Sequence, residues 1–274
     1  MSTFLIIGGT GKVGSRLSEI LRSRGHTAIV ASRTGGDVYF DWRLPDSYDC
    51  ALAGADGVFI VGPGSATDWS KSLVEFLRVA SAEGVGRAVL LSARGVEFHP
   101  DGAVARAERA LAGGPVPWTI LRPTHFAQNF TEAMFVPQND TVIAPVANGA
   151  EPFIDVEDIA QVAAAVLTGT GWLNETIEIS GPSALTFAEA VATLSRHAGR
   201  ALRYEDESAN KHLARLREAN TPEGYIEWRM AMLGGIRRGD DAYLSDGVQR
   251  VLGRTPTTFE DWAAREASIL AVPG

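Results

Sequence analysis

The sequence predicts an α/β protein, a doubly wound parallel sheet with a smaller, mostly helical C-terminal lobe. Two observations carry that expectation. Five short runs rich in Ile, Val and Leu, "FLIIGG", "TAIVAS", "GVFIVG", "AVLLSA" and "WTILRP", recur through residues 1–123, and each is continuously apolar, the pattern of strands buried on both faces. Between them lie "KVGSRLSEILRSRG", "DWSKSLVEFLRVASAEG" and "DGAVARAERALAGG", each with apolar residues three or four apart and a glycine near its end, the pattern of amphipathic helices with a C-terminal stop. Strands that alternate with helices are joined by crossovers and so run parallel.

In chain order, the first strand spans Thr3 to Ile7 and the first helix starts at Lys12 or Val13. The other four runs and two helical stretches continue the alternation to Pro123. Beyond it the rhythm breaks. "VPQNDTVIAPVANGAEPFIDVEDIAQVAAAVLTG" reads as loop, short strands and one helix, with Asp155 and Asp158 at the helix start, and "TIEISGP" as a further strand. "TFAEAVATLSRHAG" opens with Thr186 and carries Glu189 three residues later, a capping box; Thr257 and Glu260 offer the same device in "TTFEDWAAREASIL". The segment from about Ser208 to Gly239 reads as helical. Residues 1–123 are therefore expected to form the nucleotide-type core, and 124–274 a lobe interleaved with the last strands and helices of that core.

Composition narrows the function. The chain is 45% hydrophobic and 21% charged, with a formal net charge of −8 and no basic stripe; nucleic acid is not an expected partner. No apolar run approaches the ~20 residues of a membrane span and no signal peptide opens the chain, so a cytoplasmic protein is expected. The single cysteine, Cys50, is read as a small apolar side chain, and no Cys/His cluster has zinc spacing, so no metal is expected. A homodimer is compatible with the chain, whose oligomeric state the sequence does not set.

Gly8, Gly11 and Gly14 stand as G-x-x-G-x-x-G between the first strand and the first helix. There the first glycine permits a tight turn, the second lets backbone approach a pyrophosphate, and the third lets helix and strand pack closely, as in a Rossmann-type dinucleotide site. The second strand ends "AIVASRTGG", with Ser32 and Arg33 where an NAD-selective protein places an acid; an arginine there accommodates a 2′-phosphate, which points to NADPH.

"GGTGKVG" at 8–14, "FDW" at 40–42, "LRPTHFAQNF" at 121–130, "PFIDVEDIA" at 152–160 and "TPTTFEDWA" at 255–263 together resemble the NmrA-like branch of the atypical short-chain dehydrogenase/reductases. The resemblance covers nearly the whole chain and is nearest to NADPH-dependent azo and quinone reductases and ergot-alkaloid iminium reductases. It implies cofactor contacts at Gly8, Thr10, Gly11, Lys12, Val13, Gly14, Arg33, Asp41, Gly62 and Ser92, with Asp41 by the adenine and "LRPTHF" passing the nicotinamide.

One feature departs from ordinary short-chain dehydrogenases, whose Tyr-x-x-x-Lys pair protonates a carbonyl oxygen. Four residues after Tyr39, Tyr48, Tyr204, Tyr225 and Tyr243 stand Arg43, Leu52, Ser208, Arg229 and Gly247. None is lysine. The candidates left for chemistry are Ser92 at a strand end, His125 beyond another, and Tyr225 in the helical segment. Phe126, Phe130, Tyr225, Trp228 and Met232 fit either a pocket wall or core. With no obvious acid, the expected acceptor is a small aromatic or cyclic molecule such as an iminium, a quinone or a conjugated double bond, with His125 and Tyr225 serving binding more than the chemical step. The alternative is a non-catalytic NADP(H)-sensing protein.

Overall fold

The computed structural model describes residues 1–64 and 66–271. Strand β1 (Thr3–Ile7) leads through α1 (Lys12–Ser23) to β2 (Thr27–Ser32) and the short β3 (Val38–Tyr39). Helix α2 (Tyr48–Leu52) precedes β4 (Gly57–Val61), α3 (Ser70–Ala82) precedes β5 (Ala88–Leu91), and α4 (Ala103–Ala112) precedes β6 (Trp118–Pro123). All five apolar runs are strands, and the three amphipathic stretches are helices whose apolar stripes are buried. There follow α5 (Asn129–Glu132), β7 (Thr141–Ala144), β8 (Ala150–Glu151), α6 (Val156–Thr168) and β9 (Glu175–Ile179). The chain continues with β10 (Leu185–Thr186), α7 (Phe187–Ala198), β11 (Arg203–Asp206), α8 (Ala209–Glu218), α9 (Glu223–Arg238), α10 (Gly247–Leu252) and α11 (Phe259–Glu266).

Seven strands form one sheet in the order β3-β2-β1-β4-β5-β6-β9, and from β3 to β6 every neighbouring pair is parallel. The chain runs outward from β1 to β3 and then returns to β4 on the other side of β1. That reversal opens a crevice at the carboxyl ends of β1 and β4, where open sheets of this kind bind ligands.

Two compact units divide the chain. The first comprises Met1–Arg122 and Ile159–Glu178, the second Pro123–Asp158 and Ile179–Gly274. The dividing lines cut β6, α6 and β9, so residues 159–178 rejoin the first unit after the excursion that begins at Pro123. The core of the first unit pairs strand residues such as Leu5, Val58, Ile60 and Leu90 with Leu73, Phe76 and Leu77 of α3, and adds the rings of Phe40, Trp42 and Tyr48. The second unit is built on Phe130, Phe135, Phe153, Phe187 and Phe259, whose ring centroids lie 4.8–5.8 Å apart, the spacing of favourable aromatic pairs.

Two local expectations meet different outcomes. Helix α7 carries the expected capping box, Thr186 accepting from the Glu189 N–H and Glu189 from the Thr186 N–H. At α11 the frame moves one residue: Thr258, not Thr257, caps the helix by accepting from the Asp261 N–H at 3.0 Å, while Glu260 turns to Arg196 and His197. A helix beginning at Phe259 puts Phe259, Trp262 and Ala263 on one buried stripe, and that burial chooses between two overlapping caps. Cys50 is exposed, contrary to its reading as an apolar residue, because Tyr48, Ala51 and Leu52 occupy the inward face of α2. Among the described residues no helix is long and apolar enough to cross a membrane.

Candidate active site

The turn after β1 is shaped by contacts that exclude side chains. Gly8 has φ +75°, and a Cβ there would lie 2.8 Å from Cβ of Val61 at the end of β4. A Cβ on Gly14 would lie 2.4 Å from the Gly8 carbonyl oxygen and 2.7 Å from the Gly9 Cα, so α1 is pressed against the turn as closely as backbone allows. Gly11 differs. Its Cβ would meet only the Gly8 carbonyl, at 3.2 Å, and otherwise open space. Gly11 is also the N-cap of α1, with no side-chain cap and no acidic residue in the first turn. The helix thus presents open N–H groups and a partial positive charge to a space that a side chain at residue 11 would fill, which suits a pyrophosphate. Lys12 and Val13 begin the helix, and Val13 is buried, so its contribution to such a ligand is its N–H.

Beside this turn lies a cavity of about 510 Å³ lined by Gly8, Thr10, Arg33, Asp41 and Gly62 together with Phe40, Trp42, Arg43 and Trp69. Five of the ten expected cofactor residues line it. Asp41 is 6% exposed and is gripped by Arg43, Nε to Oδ1 at 3.1 Å and Nη2 to Oδ2 at 2.7 Å, with the Arg43 N–H also on Oδ1. That fork, helped by the charge of Arg33, lowers the Asp41 carboxyl to about 2. Arg33 is exposed. The flat walls of Phe40, Trp42 and Trp69 suit a base, and the exposed guanidinium of Arg33 suits a phosphate beside it. A Cβ on Gly62 would lie 2.4 Å from the Trp69 ring, so glycine there keeps the indole in place.

Ser92 stands just after β5, outside the residues that line the cavity. Its hydroxyl donates to Oε1 of the buried Glu108, and Arg122 forks onto the same carboxylate, Nε to Oε1 at 3.0 Å and Nη2 to Oε2 at 2.7 Å. The one proton of Ser92 is therefore committed, and what remains is an acceptor.

In the second unit, β8 and the turn after β6 meet at His125. Glu151, fully buried, accepts from the His125 N–H at 2.9 Å and faces Nδ1 at 3.1 Å through the same oxygen. Asp241, also buried, completes a group whose ligand atoms lie within 4.8 Å of one another. Three such donors could reach one cation, but the Nδ1 that would face it already faces Glu151. Burial alone would lower the imidazole pKa; the hydrogen bond and charge of Glu151, with the charge of Asp241, outweigh it against Arg229 and leave it raised. Burial pushes Glu151 up, and the imidazole and backbone N–H of His125, with Asp241, bring it below the usual carboxylate value. Both shifts favour the charged form of the pair, and Nε2 is left as the ring nitrogen that Glu151 does not engage.

Tyr225 is partly exposed on α9, its oxygen close enough to support the charge of Arg229. Phe130 and Met232 belong to core, whereas Phe126 and Trp228 are partly exposed.

A family model described as NAD(P)H-binding matches residues 8–170. The chain belongs to that family. A reductase of (4-alkanoyl-5-oxo-2,5-dihydrofuran-3-yl)methyl phosphate from Streptomyces griseus is 33% identical, covering 97% of this chain and 99% of its own. Festuclavine dehydrogenase of Aspergillus fumigatus is 30% identical over 96% of this chain and 97% of its own. The structure also superposes on an NADPH-dependent quinone oxidoreductase of Escherichia coli with its NADPH, TM-score 0.79 at 20% identity, covering 96% of this chain and 99% of that one. This member of the NAD(P)H-binding family is an oxidoreductase, and its cofactor is NAD(P)H.

Several site residues escaped the sequence reading. Arg43 had a local signal, a cation two residues beyond Asp41. Glu151 and Asp241 had none, because Glu151 is 26 residues from His125 and meets it only through the pairing of the turn with β8.

Proposed function

We propose that this protein uses NADPH to reduce a small cyclic or aromatic acceptor, an iminium ion, a quinone or a conjugated double bond, without a Tyr-x-x-x-Lys pair. The cofactor, when bound, supplies the hydride. The turn at Gly8, the N–H groups at Lys12, Val13 and Gly14, and the cavity holding Arg33 and Asp41 would bind it. The dihydrofuranone named for the Streptomyces relative has a ring double bond conjugated to carbonyl groups, which supports the conjugated member of this class.

The observation that carries the chemistry is the pairing of the partly buried His125 with the fully buried Glu151. Adding hydride to a conjugated double bond or a quinone leaves negative charge on oxygen, which calls for a proton. His125, kept protonated by Glu151, donates it from Nε2, and Glu151 holds the ring by Nδ1 and stabilises its charge. An iminium ion needs no proton as its new bond forms, so the same site serves it without that step. Tyr225, partly exposed on α9, offers an edge for orientation.

Turnover of an enone, a quinone and a cyclic iminium by wild type, His125→Gln and Glu151→Gln tests this. The expected result is a loss on the order of 10²-fold or more in kcat for the enone with His125→Gln, a smaller loss with Glu151→Gln, and iminium turnover within about tenfold of wild type for both. Equal losses on all three acceptors would give His125 a binding role and remove it as the acid.

A further inference from the structure

In the second unit, on α8 and α9, stands a cation with no carboxylate in contact with it among the described residues. Glu207, 4% exposed, accepts from Nδ1 of the fully buried His212 at 2.6 Å and from Arg215. The other His212 nitrogen, Nε2, accepts from Nε of Arg229 at 3.1 Å. A ring that accepts at Nε2 and donates at Nδ1 is neutral, and burial, with the charges of Arg229 and Arg215, depresses its pKa in the same sense. Arg229 also donates from Nη2 to the Met134 carbonyl at 3.4 Å and has the neutral Tyr225 hydroxyl as a hydrogen-bond neighbour. Among the described residues no carboxylate lies within ion-pair distance of it, whereas Arg122, Arg254 and Arg265 each sit on a buried carboxylate.

Arg229 is half-buried, and a partly desolvated guanidinium without a counterion costs stability. Burial indeed depresses the pKa of Arg229, with the Tyr225 oxygen and Glu207 opposing. The cost is offset once an anion arrives, and a guanidinium has five donors, more than His212, Met134 and Tyr225 take up. Its plane is fixed in advance by His212 and by Met134, the arrangement that favours a forked contact with a carboxylate or phosphate.

We propose that Arg229, braced by His212, is the residue that recognises an anionic group, carboxylate or phosphate, on the acceptor substrate. The inference rests on the reductase reading above and names the acceptor's class within it. It also links binding to chemistry, because Arg229 is a charge that opposes protonation of His125. An anion paired with Arg229 weakens that opposition, so the acid is better held in its proton-bearing form when the correct substrate is present.

The test compares one naphthoquinone in three forms: neutral, carrying a carboxymethyl group, and carrying a phosphomethyl group. Wild type is expected to favour one or both anionic forms by on the order of 10- to 100-fold in kcat/KM, chiefly through KM. Arg229→Gln should bring the ratio close to one and Arg229→Lys should restore part of it. Which anionic form leads separates carboxylate from phosphate. Alongside, calorimetry of benzoate, phenyl phosphate and benzamide on the NADP⁺-saturated protein reads binding without turnover. Failure to reduce any quinone, with benzoate or phenyl phosphate still bound through Arg229, would remove the reductase reading and leave the anion site standing. Equal kcat/KM for all three quinones in wild type, or anion binding unchanged in Arg229→Gln, would overturn the proposal.

Discussion

Arg33 and Arg43 stand on the same cavity but differ in what occupies them. Arg43 forks onto Asp41, whereas Arg33 reaches Asp41 only through its field; on the reading proposed above it is the guanidinium that would meet a 2′-phosphate. Arg33→Ala should therefore weaken NADPH by about 1.5–3 kcal/mol and leave NADH nearly unaffected; fluorescence titration of both nucleotides measures it, and an unchanged preference would exclude Arg33 from the 2′-phosphate. At His125 and Glu151 the prediction concerns pH. The raised imidazole stabilises the fold fully below its unfolded value, near 6.5, and loses that contribution as pH rises through the folded value. The depressed Glu151 acts oppositely: its contribution is present above about 4.5 and lost as pH falls through its lower folded value. Thermal denaturation should thus show a Tm plateau between these limits, and Glu151→Gln should erase its alkaline shoulder. Reduction of an enone should fall as pH rises past the raised His125 value, while iminium reduction stays flat on that limb.

At the scale of elements, the start of α1 separates folding from binding. Gly14→Ala places a methyl 2.4 Å from the Gly8 carbonyl and 2.7 Å from the Gly9 Cα, both backbone, so the helix has to shift. A cost of about 1–3 kcal/mol follows, read as a Tm lower by several degrees. Gly11→Val meets one atom at 3.2 Å and otherwise fills the space in front of the open N–H groups. It should leave circular dichroism and Tm close to wild type and abolish NADPH binding. A folded Gly11→Val protein that bound NADPH normally would place the pyrophosphate away from this helix.

For the whole molecule, the return of residues 159–178 to the first unit has a thermodynamic consequence. Strand β9 flanks β6 at the edge of the seven-stranded sheet, and α6 contributes Val162, Ala163, Val166 and Leu167, all buried. A fragment ending at residue 123 would leave β6 an unpaired edge and expose apolar surface, at roughly 25 cal/mol per Å². It is expected to aggregate or to melt without a cooperative transition, whereas the full chain melts cooperatively; calorimetry on both decides the matter, and a sharp transition in the fragment would show that residues 1–123 fold alone.

The fold and the nucleotide turn were legible in the sequence because both depend on neighbours along the chain. A buried parallel strand needs a continuous apolar run, a helix an apolar stripe, and a phosphate turn glycines at the spacing of one strand end and one helix start, so "FLIIGGTGKVG" carries its own geometry. Arg33 was legible for the same reason, lying just beyond a strand end, whereas Asp41 came only from the family resemblance of "FDW", because the two-residue β3 before it leaves no apolar run to read. The tertiary structure alone decided the frame of the α11 cap, where two adjacent threonines offer equal local chemistry and only the burial of Trp262 distinguishes them. It alone joined His125 to Glu151 and Asp241, and His212 to Arg229. A carboxylate or an arginine looks like a surface residue in any window of sequence, and its burial, which sets both its pKa and its need for a partner, is created only when distant segments close over it.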